Sequence, residues 1–103
     1  MTPEQAAPRF GALADPARLA ILRYLVRCGP EGAAAGAVAR ALDASPSRAS
    51  FHLSSLARAG LGTSRREARS VIYAADLAAL GALLGWLIEE CCDGSETLRE
   101  CCR

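Results

Sequence analysis

The chain contains no lysine. Its twelve basic residues are all arginine, and eleven acids leave a net charge of only +1, so no global positive field draws the protein to nucleic acid. Charge must therefore be read locally. Aromatic residues make up 5% of the sequence and there is a single histidine, His52. The longest apolar run, around Gly81 to Ile88, is far too short to cross a bilayer, and no charged and apolar leader opens the sequence. The expectation is a cytoplasmic protein with no membrane partner. In such a reducing compartment the five cysteines are expected to be metal ligands or redox groups rather than structural disulfides. No internal repeat or linker is evident. A length of 103 residues suits one domain, small enough to gain from a partner subunit, and a homodimer is expected.

The charge that is present is uneven. Between residues 40 and 70, Arg40, Arg48, Arg58, Arg65, Arg66 and Arg69 face only Asp43 and Glu67. From residue 89 onward the sign reverses, with Glu89, Glu90, Asp93, Glu96 and Glu100 against Arg99 and Arg103.

The basic region contains the best-punctuated helix of the chain. Ser45 is a favourable N-cap, Pro46 occupies the first helical position where its missing N–H costs nothing, and Gly60 marks the stop. Ala49, Leu53 and Leu56 form one narrow apolar stripe on a wheel of about 100° per residue. Ser47, Phe51, Ser54, Ser55 and Arg58 lie outside it. Small hydroxyls, one exposed aromatic ring and a flanking arginine suit a helix lying in a DNA major groove.

Other elements are expected around this helix. Thr2 and Pro3 open a first helix that runs to Leu13; Asp15 and Pro16 open a second that ends at about Cys28, with Leu19, Leu22, Tyr24, Leu25 and Val26 buried. Glu31 to Ala35 has no clear assignment. Ala37, Val38, Ala41 and Leu42 give a short third helix, and this with the Ser45 helix makes a helix-turn-helix. Two strands, Leu61 to Glu67 and Ser70 to Ala74, form a hairpin whose turn carries Arg65, Arg66 and Arg69, a basic wing able to reach phosphates or a minor groove. Asp76 caps a last helix that is apolar nearly all round. Leu80, Leu84, Trp86 and Leu87 exceed what one small domain can cover, and a second subunit is the simplest cover.

This order of elements resembles the ArsR family of winged-helix repressors. The resemblance rests on Leu13-Ala14-Asp15-Pro16-Ala17-Arg18-Leu19-Ala20-Ile21-Leu22, on Ser50-Phe51-His52-Leu53 with Leu56-Ala57-Arg58-Ala59-Gly60-Leu61, and on the wing Arg65 to Tyr73. It implies a mainly α fold with a small β-hairpin, a homodimeric winged helix-turn-helix that binds an inverted repeat in double-stranded operator DNA. The DNA contacts then expected are Ser45, Ser47, Arg48, Ser50, Phe51, His52, Ser55 and Arg58 on the helix, and Arg65, Arg66 and Arg69 on the wing. In the family, release follows when a metal or metalloid binds thiolates. Two departures stand out: Gly32 to Gly36 replaces the thiol pair that many members carry before the third helix, and Ala68 stands in the wing turn where glycine is usual.

Cysteines are instead concentrated at the end. Residues 1–90 are expected to form the DNA-binding and dimerisation domain and residues 91–103 a cysteine-rich tail carrying Cys91, Cys92, Cys101 and Cys102 as ligands. Thiolates without imidazole or carboxylate partners favour thiophilic ions, and three of them suit trivalent arsenic or antimony as inducer. Disulfide or persulfide sensing by the same thiols is the alternative. Cys28 is expected to be a small buried hydrophobe. No enzyme and no catalytic cofactor are expected, because a nucleophilic cysteine needs a helix N-terminus or a base, whereas these thiols follow a helix C-terminus among acids.

Overall fold

Each of the long helices begins where a side chain closes its first turn. In the computed structural model, which describes residues 1–101, α1 spans Pro3–Leu13, and Thr2 and Gln5 exchange hydrogen bonds across its N-terminus as a capping box. The expected ligand Cys102 lies outside the described residues. Helix α2 spans Pro16–Cys28; Asp15 Oδ1 accepts the N–H groups of Ala17 at 2.8 Å and Arg18 at 3.2 Å. The Arg18 N–H lowers the Asp15 pKa, so this cap stabilises the fold above the ordinary carboxylate range and is lost as acid protonates it. Helix α3 (Ala35–Ala41) leads through a short turn to α4 (Pro46–Arg58), where Ser45 Oγ accepts the Arg48 N–H at 3.2 Å. Helix α5 (Leu77–Trp86) is capped by Asp76, and α6 (Glu96–Cys101) closes the described chain.

The stretch without a clear assignment, Glu31 to Ala35, contains a strand. After one 3₁₀ turn at Gly29–Glu31, β1 (Ala33–Ala34) pairs antiparallel with β3 (Ser70–Ala75), Ala33 opposite Tyr73 and Ala34 opposite Ile72. Gly32 permits this approach: its φ is +69°, and a Cβ there would collide with the Tyr73 carbonyl oxygen. Strand β2 (Gly62–Glu67) flanks β3 on the other side, in register from Gly62 opposite Ala75 to Glu67 opposite Ser70. The expected hairpin is thus part of a three-stranded antiparallel sheet in the order β1-β3-β2, and the fold is a winged helix-turn-helix.

Two apolar clusters hold these elements. Ile21 and Leu25 of α2 meet Val38 of α3 and Leu53 and Leu56 of α4; Ala6 of α1 meets Leu61 and Leu83. A buried leucine of this kind contributes about 1.5–3 kcal/mol. The inward face of α2 differs from expectation. Ile21 and Leu25, four residues apart, point in, whereas Leu19 and Val26 are exposed. The wheel position of α2 is set by its packing on two neighbours, which its own apolar pattern leaves open. Cys28 is half-buried rather than buried, and its thiol lies beside the Tyr24 hydroxyl, raising that group's pKa. Leu80 and Trp86 partly fill the protein's own second cluster, while Leu77 and Leu84 stand out from α5.

The wing turn retains the geometry that glycine normally supplies. Ala68 has φ +55°, in the left-handed region where a Cβ is strained. Ala68→Gly is expected to raise unfolding stability by about 0.5–1 kcal/mol, the relief of that strain less the extra entropy of glycine in the unfolded chain. Chemical denaturation checks this; an unchanged or lowered midpoint would show that the turn is not strained.

Candidate nucleic-acid interface and thiol tail

Helix α4 buries Ala49, Leu53 and Leu56 and turns its other side outward. Ser45, Ser47, Arg48, Ser50, Phe51 and Arg58 are exposed, Phe51 to 59%. They share a surface whose hydroxyls are spaced for hydrogen bonding: Ser45 Oγ and Ser47 Oγ lie 3.4 Å apart beside the N-terminal turn. The positive end of the helix dipole adds to the attraction for a phosphate there. Ser55 is half-buried, and its hydroxyl donates to the Phe51 carbonyl at 3.0 Å, so it serves its own helix first.

His52 does not join this surface. It is 8% exposed, turned toward α2, with Nδ1 3.4 Å from Arg18 Nη1, and the Phe51 ring meets it edge-on at 5.6 Å. The expected base contact from His52 is therefore replaced by an inward contact, because its position falls beside the Ala49–Leu53–Leu56 stripe.

The wing arginines divide into two kinds. Arg65 Nη2 donates to the Glu31 carbonyl at 2.8 Å and its Nε to Glu67 at 3.2 Å, so Arg65 ties β2 to the 3₁₀ turn before β1. Arg66 and Arg69 are exposed and make no ion pair among the described residues. They are the wing's available cations. The tie of Arg65 to Glu31 joins residues 34 positions apart and had no signal in the sequence.

At the other end of the molecule, α5 widens into a π turn at Leu87–Cys91, and the Cys92 N–H donates to the Leu87 carbonyl at 3.0 Å. Asp93 and Gly94 both take positive φ, +56° and +62°, reversing the chain. Across this bend Arg99 grips Glu89 through two hydrogen bonds of 2.8 and 2.6 Å, closing over Gly94. The guanidinium holds the Glu89 carboxyl below its usual pKa. Cys91 and Cys101 are exposed and Cys92 half-buried; burial, then the neighbouring Cys91, raises the Cys92 pKa. Among the described residues, no three His, Cys, Asp or Glu side chains converge to hold an ion. None of the described helices is long and apolar enough to cross a membrane.

Comparison with known proteins agrees with the architecture. A family profile described as a helix-turn-helix domain matches residues 13–64. The nodulation protein NolR of Rhizobium meliloti is 36% identical over 97 residues, covering 94% of this chain and 77% of that protein. A crystal structure of an ArsR family transcriptional regulator superposes with a TM-score of 0.73 at 31% identity, covering 87% of this chain and 90% of the other. The homodimeric winged helix-turn-helix DNA-binding domain of a possible ArsR-family regulator from Mycobacterium bovis gives 0.67 at 33% identity, with 84% and 81% covered.

The two kinds of wing arginine lead to different expected outcomes on DNA. Neutralising Arg66 and Arg69 should weaken binding to all duplexes and flatten the salt dependence by about one unit of log–log slope per residue. Arg65→Gln should instead lower thermal stability with little change in slope. Equal slopes for wild type and the Arg66/Arg69 variant, measured by fluorescence anisotropy, would remove the wing from the interface.

Proposed function

This chain belongs to the ArsR family of winged helix-turn-helix, DNA-binding transcriptional regulators, and from that premise we propose a cytoplasmic, homodimeric repressor that leaves its operator when trivalent arsenic or antimony is bound by tail thiolates. The DNA part of the reading rests on the exposed face of α4 and the available arginines of the wing. A symmetric dimer presents two such faces to an inverted repeat. Support for dimerisation comes from Leu77 and Leu84, apolar side chains exposed along α5, and from the homodimeric relative.

The donor set carries the metalloid part. Cys91 and Cys92 stand between α5 and α6, Cys101 ends α6, Cys102 follows it in the sequence, and the single imidazole is buried at α4. Thiols alone suit a soft, pyramidal, three-coordinate centre. Each As–S bond formed from arsenous acid takes one hydroxide from arsenic and one proton from a thiol, and these depart as water. Binding is thus proton-neutral, and the raised Cys92 pKa does not oppose it. Cys91, Cys92 and Cys101 do not converge among the described residues, so capture by these three would rearrange the tail. Release from DNA demands that the rearranged conformation bind DNA less tightly. A change in separation of the two α4 helices then removes the avidity of binding both half-sites.

The experiment is an anisotropy titration on a duplex that the protein selects from a randomised pool. Arsenite should release the protein; exchanging Cys91 and Cys92, or Cys101 and Cys102, for serine should abolish release while leaving DNA affinity unchanged. Cys28→Ser should behave as wild type. Arsenite-driven release that persists without Cys91 and Cys92 would place the inducer elsewhere.

Contact between the adjacent Cys91 and Cys92 thiols favours a second reading, a repressor that senses oxidants or persulfides. Release by peroxide that a phosphine reductant reverses, with none by arsenite, selects that reading. For assembly, Leu77→Arg combined with Leu84→Arg should give monomers in sedimentation; a fully dimeric double variant contradicts the α5 interface.

A further inference from the structure

Arg18 occupies an unusual position for a residue in the first turn of a helix. Its guanidinium reaches three elements at once. Nε donates to the Ala12 carbonyl at 2.6 Å, near the end of α1, and Nη2 contacts the Gly11 carbonyl at 3.4 Å, which also accepts the Ala14 N–H at 3.1 Å. Nη1 lies 4.0 Å from Asp15 and 3.4 Å from His52 Nδ1 on α4. The side chain is only 18% exposed, and no phosphate could be gripped there without breaking these contacts. Ala12 and Leu13 pack against both apolar clusters, so Arg18 sits where the α1–α5 half of the molecule meets the α2–α4 half.

We infer that Arg18 is a positioning residue for DNA reading: by holding His52 it fixes the rotation of α4 about its axis and ties that rotation to the end of α1. Arginine never acts as an acceptor, so the pairing requires His52 to be the neutral acceptor at Nδ1, with its proton on Nε2. At 3.4 Å the contact is long for a hydrogen bond, and its content is positional. A rotation of α4 would move Ser47 and Phe51 across the base edges while Ala49, Leu53 and Leu56 stayed buried, so base discrimination would fall before the fold did.

The groups facing His52 are known on every side. Arg18 and Asp15 come from α2, Asp43 from the turn and Arg48 from one turn earlier on α4, the last two lining the same groove as His52; α1 presents only carbonyls to Arg18.

The test uses the whole chain, the duplex that wild type selects from a randomised pool, and a shuffled duplex of equal length. Arg18→Lys keeps the charge but cannot reach three acceptors at once; His52→Leu removes the acceptor; His52→Asn replaces Nδ1 with an oxygen at the same reach. Arg18→Lys and His52→Leu should each lower the specific-to-non-specific ratio by about tenfold, the size of one lost base contact. Their salt slopes should match wild type, and the double variant should be no worse than either single. His52→Asn should keep the ratio. A folded Arg18→Lys with an unchanged ratio overturns the inference, as does a slope flatter by about one unit, which would make Arg18 a phosphate ligand. Should Arg18→Lys fail to fold, His52→Leu decides by the same two readings. Loss of the ratio in His52→Asn equal to that in His52→Leu would return His52 to the DNA surface and overturn the inference too.

Discussion

Leu61 is the residue on which the rest of the structure depends. It is fully buried against Ala6 and Leu83, its N–H donates to the Leu56 carbonyl at 3.0 Å, and its carbonyl accepts the Asp76 N–H at 3.0 Å. One side chain and two backbone bonds therefore fix the end of α4, the root of the wing and the start of α5 relative to one another. A leucine removed from such a position costs about 2–5 kcal/mol. The loss would be felt at the DNA face and along α5 together.

That shared anchor explains how so small a molecule can carry two unlike ends. The arginine-rich half presents hydroxyls and guanidinium groups outward. The acidic half presents an apolar helix and then thiols among carboxylates. Between them run the two apolar clusters and the contacts of Arg18, so α5 and the reading helix belong to one packed body, and the thiol tail is tied to the end of α5 through Glu89 and Arg99. The Glu89–Arg99 pair sets the resting position of the tail. It is exposed, but a bidentate geometry is the case in which a surface ion pair contributes measurably.

Much of this was legible in the sequence, for physical reasons that can be named. The helix starts were marked by Thr2, Asp15, Ser45 and Asp76, because a short polar side chain before an apolar repeat satisfies free N–H groups locally. The apolar stripe of α4 was narrow enough to fix its inward face. Other features were set by tertiary contact and left no local signal. Strand β1 consists of two alanines, and its pairing depends on Gly32 making room for Tyr73. The exposure of Leu19 and Val26 follows from where α3 and α4 lie. Arg65 looked like its neighbours until Glu31 was folded beside it. The position of His52 beside the apolar stripe of α4 pointed inward, but its partner Arg18, 34 residues away, had no local signal. The roles of the tail thiols rest on their chemistry and on titration.

The order β1-β3-β2 leaves β2 with an unpaired outer edge, a row of N–H and C=O groups open to another strand. Stacking of such edges is how folded proteins begin to aggregate. Here the edge carries Arg65, Arg66 and Glu67, with Arg69 in the adjoining turn, and two like-charged edges repel. The arginines placed to meet phosphate thus also keep the DNA-free protein dispersed. Variants that neutralise Arg66 and Arg69 remove both properties at once, and the colloidal behaviour of the unbound protein becomes part of the meaning of any affinity measured with them.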